Sequence, residues 1–190
     1  MASPLRVVVT RKLPAAVEEA LASRYDVLLN RTDIGLSSDQ LVQVLQQADV
    51  IVPTVTDKFH PGIFDTTGIR TKLLANVGVG VNHIALEAAK RAGIAVTNTP
   101  DVLTEDTADI AIALMLMVMR RLGEGERHLR SGAWAGLRPT FMLGRTLRGR
   151  TLGILGLGRI GRTIARRAEA FVGCTGPTSA QPSSESSWTR

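Results

Sequence analysis

The chain has 190 residues, room for one or two domains, and its hydrophobic content of 44% suffices for a globular core. Its formal net charge of +6 invites an anionic partner, but aromatic residues are only 4% and no nucleic-acid recognition motif is present, which argues against nucleic acid. The single cysteine, Cys174, excludes an intrachain disulfide and fits a reducing compartment. The longest apolar run, from Ile110 to Met119, is too short to span a bilayer. No signal-peptide pattern opens the chain, so a cytoplasmic protein with no membrane partner is expected.

Leu5 to Thr10 is rich in β-branched residues and reads as a buried strand. Pro14 suits the first turn of a helix that carries Val17, Ala20, Leu21 and Arg24 at helical spacing. Tyr25 to Leu29 reads as a second strand. Ser37 and Gln40 fit a capping box, with Leu41, Val44 and Leu45 as the buried face behind it. Val50 to Val52, Lys72 to Asn76 and Ile94 to Asn98 read as three further strands, and Ile84 to Ala92 as a helix closed by Gly93. Strand and helix alternate with short connections, so the spacing predicts an α/β layer with a flavodoxin-like parallel sheet, complete near residue 98.

Pro100 breaks that pattern. A helix follows, with Thr104 as N-cap and Glu105 and Asp106 in its first turn, running to about Arg121. It is apolar nearly all round, which predicts burial on several sides. A polar stretch spans Gly123 to Gly149. Thr151 to Leu155 then reads as a strand, and Arg162 to Phe171 as a helix whose face carries Ile160, Ile164, Ala165, Ala168 and Phe171. From Gly173 to Arg190 the composition is rich in Ser, Thr, Pro and Gly, which predicts a disordered tail over 172–190.

Between that strand and helix lies Gly156-Leu157-Gly158-Arg159-Ile160-Gly161. A G-x-G-x-x-G run gains meaning from this flanking context. Gly156 permits a tight turn, Gly158 lets backbone approach a pyrophosphate, and Gly161 lets helix and strand pack closely. The helix N-terminus offers unpaired N–H groups to phosphates, and Arg159 is placed to add a donor. The competing reading is a plain tight turn without ligand. The fingerprint expects an acidic residue about 20 positions on. Glu185 stands near that distance but in no strand pattern, so the cofactor reads as NAD or NADP alike.

A second glycine loop, Val77-Gly78-Val79-Gly80-Val81-Asn82, follows the fourth strand at its carboxyl end, where open α/β sheets bind ligands. Its glycines let backbone N–H groups face an anion such as a carboxylate. An ordinary flexible connection would read the same by spacing.

Taken together these motifs resemble the D-2-hydroxyacid dehydrogenase family, in its glyoxylate/hydroxypyruvate reductase branch. The resemblance rests on residues 76–84 as a substrate-carboxylate loop and 96–104 as the crossing between domains. It also rests on 105–109 as the start of the next helix and 153–161 as the cofactor signature, and it covers about residues 5–171. It implies that the Val79 and Gly80 backbone holds the carboxylate of a small 2-oxo acid. It implies further that Thr107 contacts the nicotinamide half of NAD or NADP, and that Gly156, Leu157, Gly158, Arg159, Ile160 and Gly161 line the pyrophosphate. Asn82 stands where the family more often has Asp. The family does not use the position of His83 as its base, and a structural or surface role is expected there; His60 and His128 have no supporting motif.

The same resemblance implies a substrate domain over 1–98 and the start of a Rossmann NAD(P)-binding domain over 99–171. It implies a homodimer formed through the cofactor domain, partly by about 105–140. The family's Arg, Glu and His of catalysis lie downstream of residue 171, so no catalytic residue is assigned. The change of composition near Phe171 to Cys174 predicts a cut or shifted reading frame and a chain inactive alone. The alternative is a non-catalytic module that binds a nucleotide or a 2-oxo acid.

Overall fold

The structure, a computed structural model, describes residues 4–172. The expected disordered tail beyond Val172, with Cys174 and Glu185, lies outside the described residues. The chain divides into two compact units between Val102 and Leu103.

The first unit is a five-stranded sheet. Its strands are β1 (Arg6–Val9), β2 (Asp26–Leu29), β3 (Val50–Val52), β4 (Leu73–Ala75) and β5 (Ala95–Thr97). They lie in the order β2-β1-β3-β4-β5, and every pairing is parallel. This is the flavodoxin-like doubly wound order, as the alternation of motifs predicts. Register aligns Val8 with Ile51 and Ile51 with Leu74, so one apolar row crosses the sheet centre. Helices α1 (Ala15–Ala22), α2 (Ser38–Gln47) and α3 (Leu86–Arg91) make the crossovers, and a short 3-10 turn spans Pro61–Asp65.

One core face gathers Leu41 and Leu45 of α2, Ile51, Leu74, Phe59, Ile63 and Ala89. Each such large side chain contributes about 1.5–3 kcal/mol on full burial. Two end signals read from sequence are realised. Ser37 Oγ accepts from the Gln40 N–H while the Gln40 side chain accepts from the Ser37 N–H, closing the capping box. Helix α3 ends with Gly93 at φ +72°, and the Gly93 and Ile94 N–H groups donate to Lys90 and Ala89 in a Schellman arrangement.

The second unit holds α4 (Thr104–Met119), α5 (Leu122–Arg130) and α6 (Arg159–Val172). Arg167 of α6 ties to the first turns of α4. Its guanidinium bonds Glu105 Oε2 at 2.7 Å, the Glu105 carbonyl at 2.9 Å and Asp109 Oδ1 at 3.1 Å. Four expectations need correction here. Residues 151–155 pair with no other strand among the described residues, because a strand exists only through a ladder partner. Thr104 begins α4 rather than capping it; Leu103 holds the cap position without a side-chain bond. Helix α4 is not buried all round: Ile110, Leu114, Met117 and Val118 are exposed. The stretch read as polar connection contains α5, whose Gly123 and Gly125 mask its helical character in sequence.

Candidate functional site

The loop leaving β4 is held by a buried amide. Asn76, 2% exposed, donates both Nδ2 hydrogens, one to the carbonyl of Gly78 and one to that of Gly80, each at 3.1 Å. Its Oδ1 lies 2.9 Å from His83 Nε2. The exposed Asn98 donates from Nδ2 to the Val79 carbonyl at 2.9 Å. Three consecutive carbonyls, at 78, 79 and 80, are therefore engaged by the chain's own side chains or backbone. Gly78 and Thr99 are also joined, the Gly78 N–H donating to Thr99 Oγ1 and the Thr99 N–H to the Gly78 carbonyl. The Val79 and Gly80 N–H groups, by contrast, have no acceptor among the described residues, and both residues are exposed.

The two glycines of this loop differ. A Cβ on Gly78 would stand 2.9 Å from Val55 Cγ1 and 3.4 Å from Asn76 Nδ2, so the tight packing requires glycine. A Cβ on Gly80 would meet nothing within 4 Å. Gly80 instead borders an open cleft of about 240 Å³ lined also by Val55, Lys58, Asn82 and His83. Desolvation holds the half-buried His83 below the usual histidine pKa. The Lys58 ammonium lowers it further and Asp57 opposes both. The neutral form of the ring is therefore favoured over the charged one.

Beside this loop, the carboxyl ends of β1 and β3 meet at the point where the strand order reverses, and Asp57 joins them. Its buried carboxylate accepts from Thr10 Oγ1 at 2.6 Å and from the Thr54 N–H at 2.8 Å. Parallel bridges between Thr54 and Val77 and between Phe59 and Ile84 extend this framework along the second glycine loop.

In the second unit the run Gly156 to Gly161 forms the turn into α6, which begins at Arg159. Gly156 adopts φ +94°, a conformation that favours glycine. A Cβ on Gly161 would lie 2.0 Å from the Gly156 carbonyl oxygen and 3.4 Å from Ile154 Cγ2, so the helix packs directly on its own entry turn. Gly158 has neither constraint: a Cβ there would meet nothing within 4 Å. The Arg162 N–H donates to the Gly158 carbonyl at 3.0 Å, and Arg162 Nε donates to the Leu157 carbonyl at 3.1 Å. Leu157 and Arg159 are exposed, and Ile160 is half-buried. Thr107 is exposed on the first turn of α4. Thus Val79 and Gly80 share one loop of the first unit, while Thr107 and residues 156–161 belong to the second.

The profile of a family described as D-isomer specific 2-hydroxyacid dehydrogenase, catalytic domain, matches residues 7–186. The chain belongs to this family. A glyoxylate reductase of Thermococcus onnurineus is 38% identical over 170 residues, covering 87% of this chain and 51% of that protein. A solved protein of Thermus thermophilus aligns with TM-score 0.81 and 39% identity over 92% of this chain and 58% of its own. The NADPH-dependent glyoxylate/hydroxypyruvate reductase of Sinorhizobium meliloti, solved with NADP and malonate, aligns with TM-score 0.75 and 34% identity over 95% of this chain and 56% of its own. The chain spans about half the length of the curated relatives it matches.

Within this family member, sequence reasoning named the loop residues but missed the side chains around them. Asn76, Asn98 and Asp57 went unassigned. The available signal was an amide at the end of an apolar strand, two residues before a glycine, where a solvated side chain is unexpected. No group of three or more His, Cys, Asp or Glu is arranged to hold a metal ion among the described residues. Among them, too, no helix is long and apolar enough to cross a membrane.

Proposed function

We propose that this chain carries the carboxylate-binding loop and the phosphate-binding turn of an NAD(P)-dependent reductase acting on glyoxylate- or hydroxypyruvate-type 2-oxo acids. The observation that carries the reading is the pair of open N–H groups at Val79 and Gly80. Their neighbouring carbonyls are pinned elsewhere, so the loop turns donors rather than acceptors to an incoming carboxylate. Lys58, lining the cleft beside Gly80, adds attraction for an anion. In this reading residues 1–98 form the substrate domain and 99–171 the beginning of the cofactor domain.

The Gly156 turn fits a pyrophosphate. The chain's own packing explains glycine at 156 and 161 but not at 158, where the space beside the backbone is open. A phosphate approaching there would meet the N-terminus of α6, the positive end of the helix dipole. Arg159 at that terminus would add charge, Leu157 and Ile160 would flank the group, and Thr107 would serve the nicotinamide half. When bound, the reduced cofactor would supply a hydride for the 2-oxo carbon, and a general acid would supply the proton that completes the D-2-hydroxy acid. The chain's part is to orient the acid by its carboxylate and the nucleotide by its phosphates. The exposed Ile110, Leu114, Met117 and Val118 of α4 support a homodimer that covers this face.

These 190 residues alone should not turn over substrate. His83 Nε2 is engaged by Asn76 and is not free to give a proton to the substrate. General acid catalysis is worth about 10² to 10⁴ in rate. Calorimetric titration with NADPH and NADH tests the nucleotide reading. Weak binding with little preference is expected, because the contacts offered are to phosphates. Gly158→Val should abolish it. Turnover of glyoxylate would overturn the expected inactivity of the 190 residues alone, and tight binding unaffected by Gly158→Val would overturn the assignment of the Gly156 turn to phosphate. Nucleotide binding without any response to carboxylates would favour a non-catalytic nucleotide module.

A further inference from the structure

The carboxylate loop depends on one amide being the right way round. Asn76 faces two carbonyl oxygens, those of Gly78 and Gly80, both at 3.1 Å. Only the Nδ2 end can satisfy them, since an oxygen there would oppose two acceptors. That choice turns Oδ1 toward His83, at 2.9 Å. An amide oxygen accepts only, so His83 Nε2 must carry the hydrogen. Asn76 is buried, and each of its polar atoms has a partner in this arrangement. Flipped, it would set its oxygen against both carbonyls and lose those two bonds, and the contact with His83 would survive only if Nε2 gave up its hydrogen.

We propose that His83 is a positioning residue for carboxylate binding: through its Nε2–H it fixes the orientation of Asn76, which fixes the loop with the Val79 and Gly80 N–H groups free. It touches neither the acid nor the cofactor in this scheme. The inference rests on the carboxylate reading of the loop for its functional meaning, while the positioning itself can be read without ligand. Without the His83 donor, the Asn76 oxygen is left buried and unpaired. The amide then has less to hold it against rotation, and the loop samples conformations in which the N–H pair diverges.

The test uses amide NMR spectra of the 190-residue chain and three variants. His83→Leu removes the donor. His83→Gln restores an N–H donor on a side chain of similar reach. Asn76→Asp sets a carboxylate against the two carbonyls. Without ligand, His83→Leu should displace the Val79 and Gly80 amide signals while leaving those of β1 to β5 in place, and His83→Gln should return them toward wild type. With malonate as probe, the dissociation constant should rise about tenfold in His83→Leu and stay within about twofold in His83→Gln. Asn76→Asp should bind least. Unliganded loop signals unchanged in His83→Leu, or equally disturbed in His83→Gln, would overturn the positioning role. If those signals behave as expected but malonate moves no loop amide in wild type, the positioning stands and the carboxylate reading fails.

Discussion

Gly161 lies so close to Gly156 that a Cβ on the first would stand 2.0 Å from the carbonyl oxygen of the second. Gly158, between them, has open space around it. One motif therefore contains glycines of different necessity, two that the chain's own packing or turn requires and one that it does not. Gly161→Ala should destabilise the packing of α6 by about 1–3 kcal/mol or more, despite alanine's better helix propensity. Hydrogen exchange should rise over 159–172 and stay unchanged over β1 to β5. Gly158→Ala should alter stability by no more than about 0.5 kcal/mol. Equal losses from both substitutions would contradict the distinction.

Asp57 couples the ends of β1 and β3 through Thr10 and the Thr54 N–H. Asp57→Ala leaves the Thr54 N–H without its acceptor and the Thr10 hydroxyl with only the longer bond to the Val52 carbonyl, at a cost of about 1–3 kcal/mol. Urea denaturation should show a lowered midpoint with an unchanged slope. A midpoint equal to wild type would mean that water replaces the carboxylate without loss.

His83 should titrate below the usual histidine value of 6.5, because burial and then Lys58 disfavour its charged form. A folded pKa below the unfolded one means that the native state prefers the neutral ring. The associated stability is full above the unfolded pKa and is lost as pH falls through the folded one. Acidification through the histidine range should therefore weaken the first unit, and His83→Gln should remove that component. Lys58→Met should raise the His83 midpoint, as followed by its ring proton signals. A wild-type midpoint above the usual value would contradict the geometry of the cleft.

The apolar face of α4 should belong to an interface between copies. Leu114→Glu should shift the chain toward monomer in light scattering without changing its helical content. An unchanged mass would assign the exposed Ile110, Leu114, Met117 and Val118 to another partner.

The sheet was legible because its strands are short apolar runs, its helices carry apolar faces at helical spacing, and Ser37, Gln40 and Gly93 mark two ends with local chemistry. These are near-neighbour signals. The α4 surface was misread because composition records that a helix is apolar, and not whether another chain covers it. Residues 151–155 read as a strand from sequence, but pairing depends on a neighbour that no local window contains. At the candidate site, glycine spacing pointed to both loops. What orients the first of them, Asn76 against His83 and Asn98 against the Val79 carbonyl, involves groups brought together at the ends of β4 and β5, and a polar residue in sequence does not announce its partner.

The open N–H pair at Val79 and Gly80 is the centre of the account, and a malonate titration followed by amide NMR of the labelled chain reads it directly. Saturable shifts of the Val79 and Gly80 signals, larger than those of any β1 to β5 residue, are expected. Saturation elsewhere with these two amides unmoved would show that the loop is a connection and not a binding site.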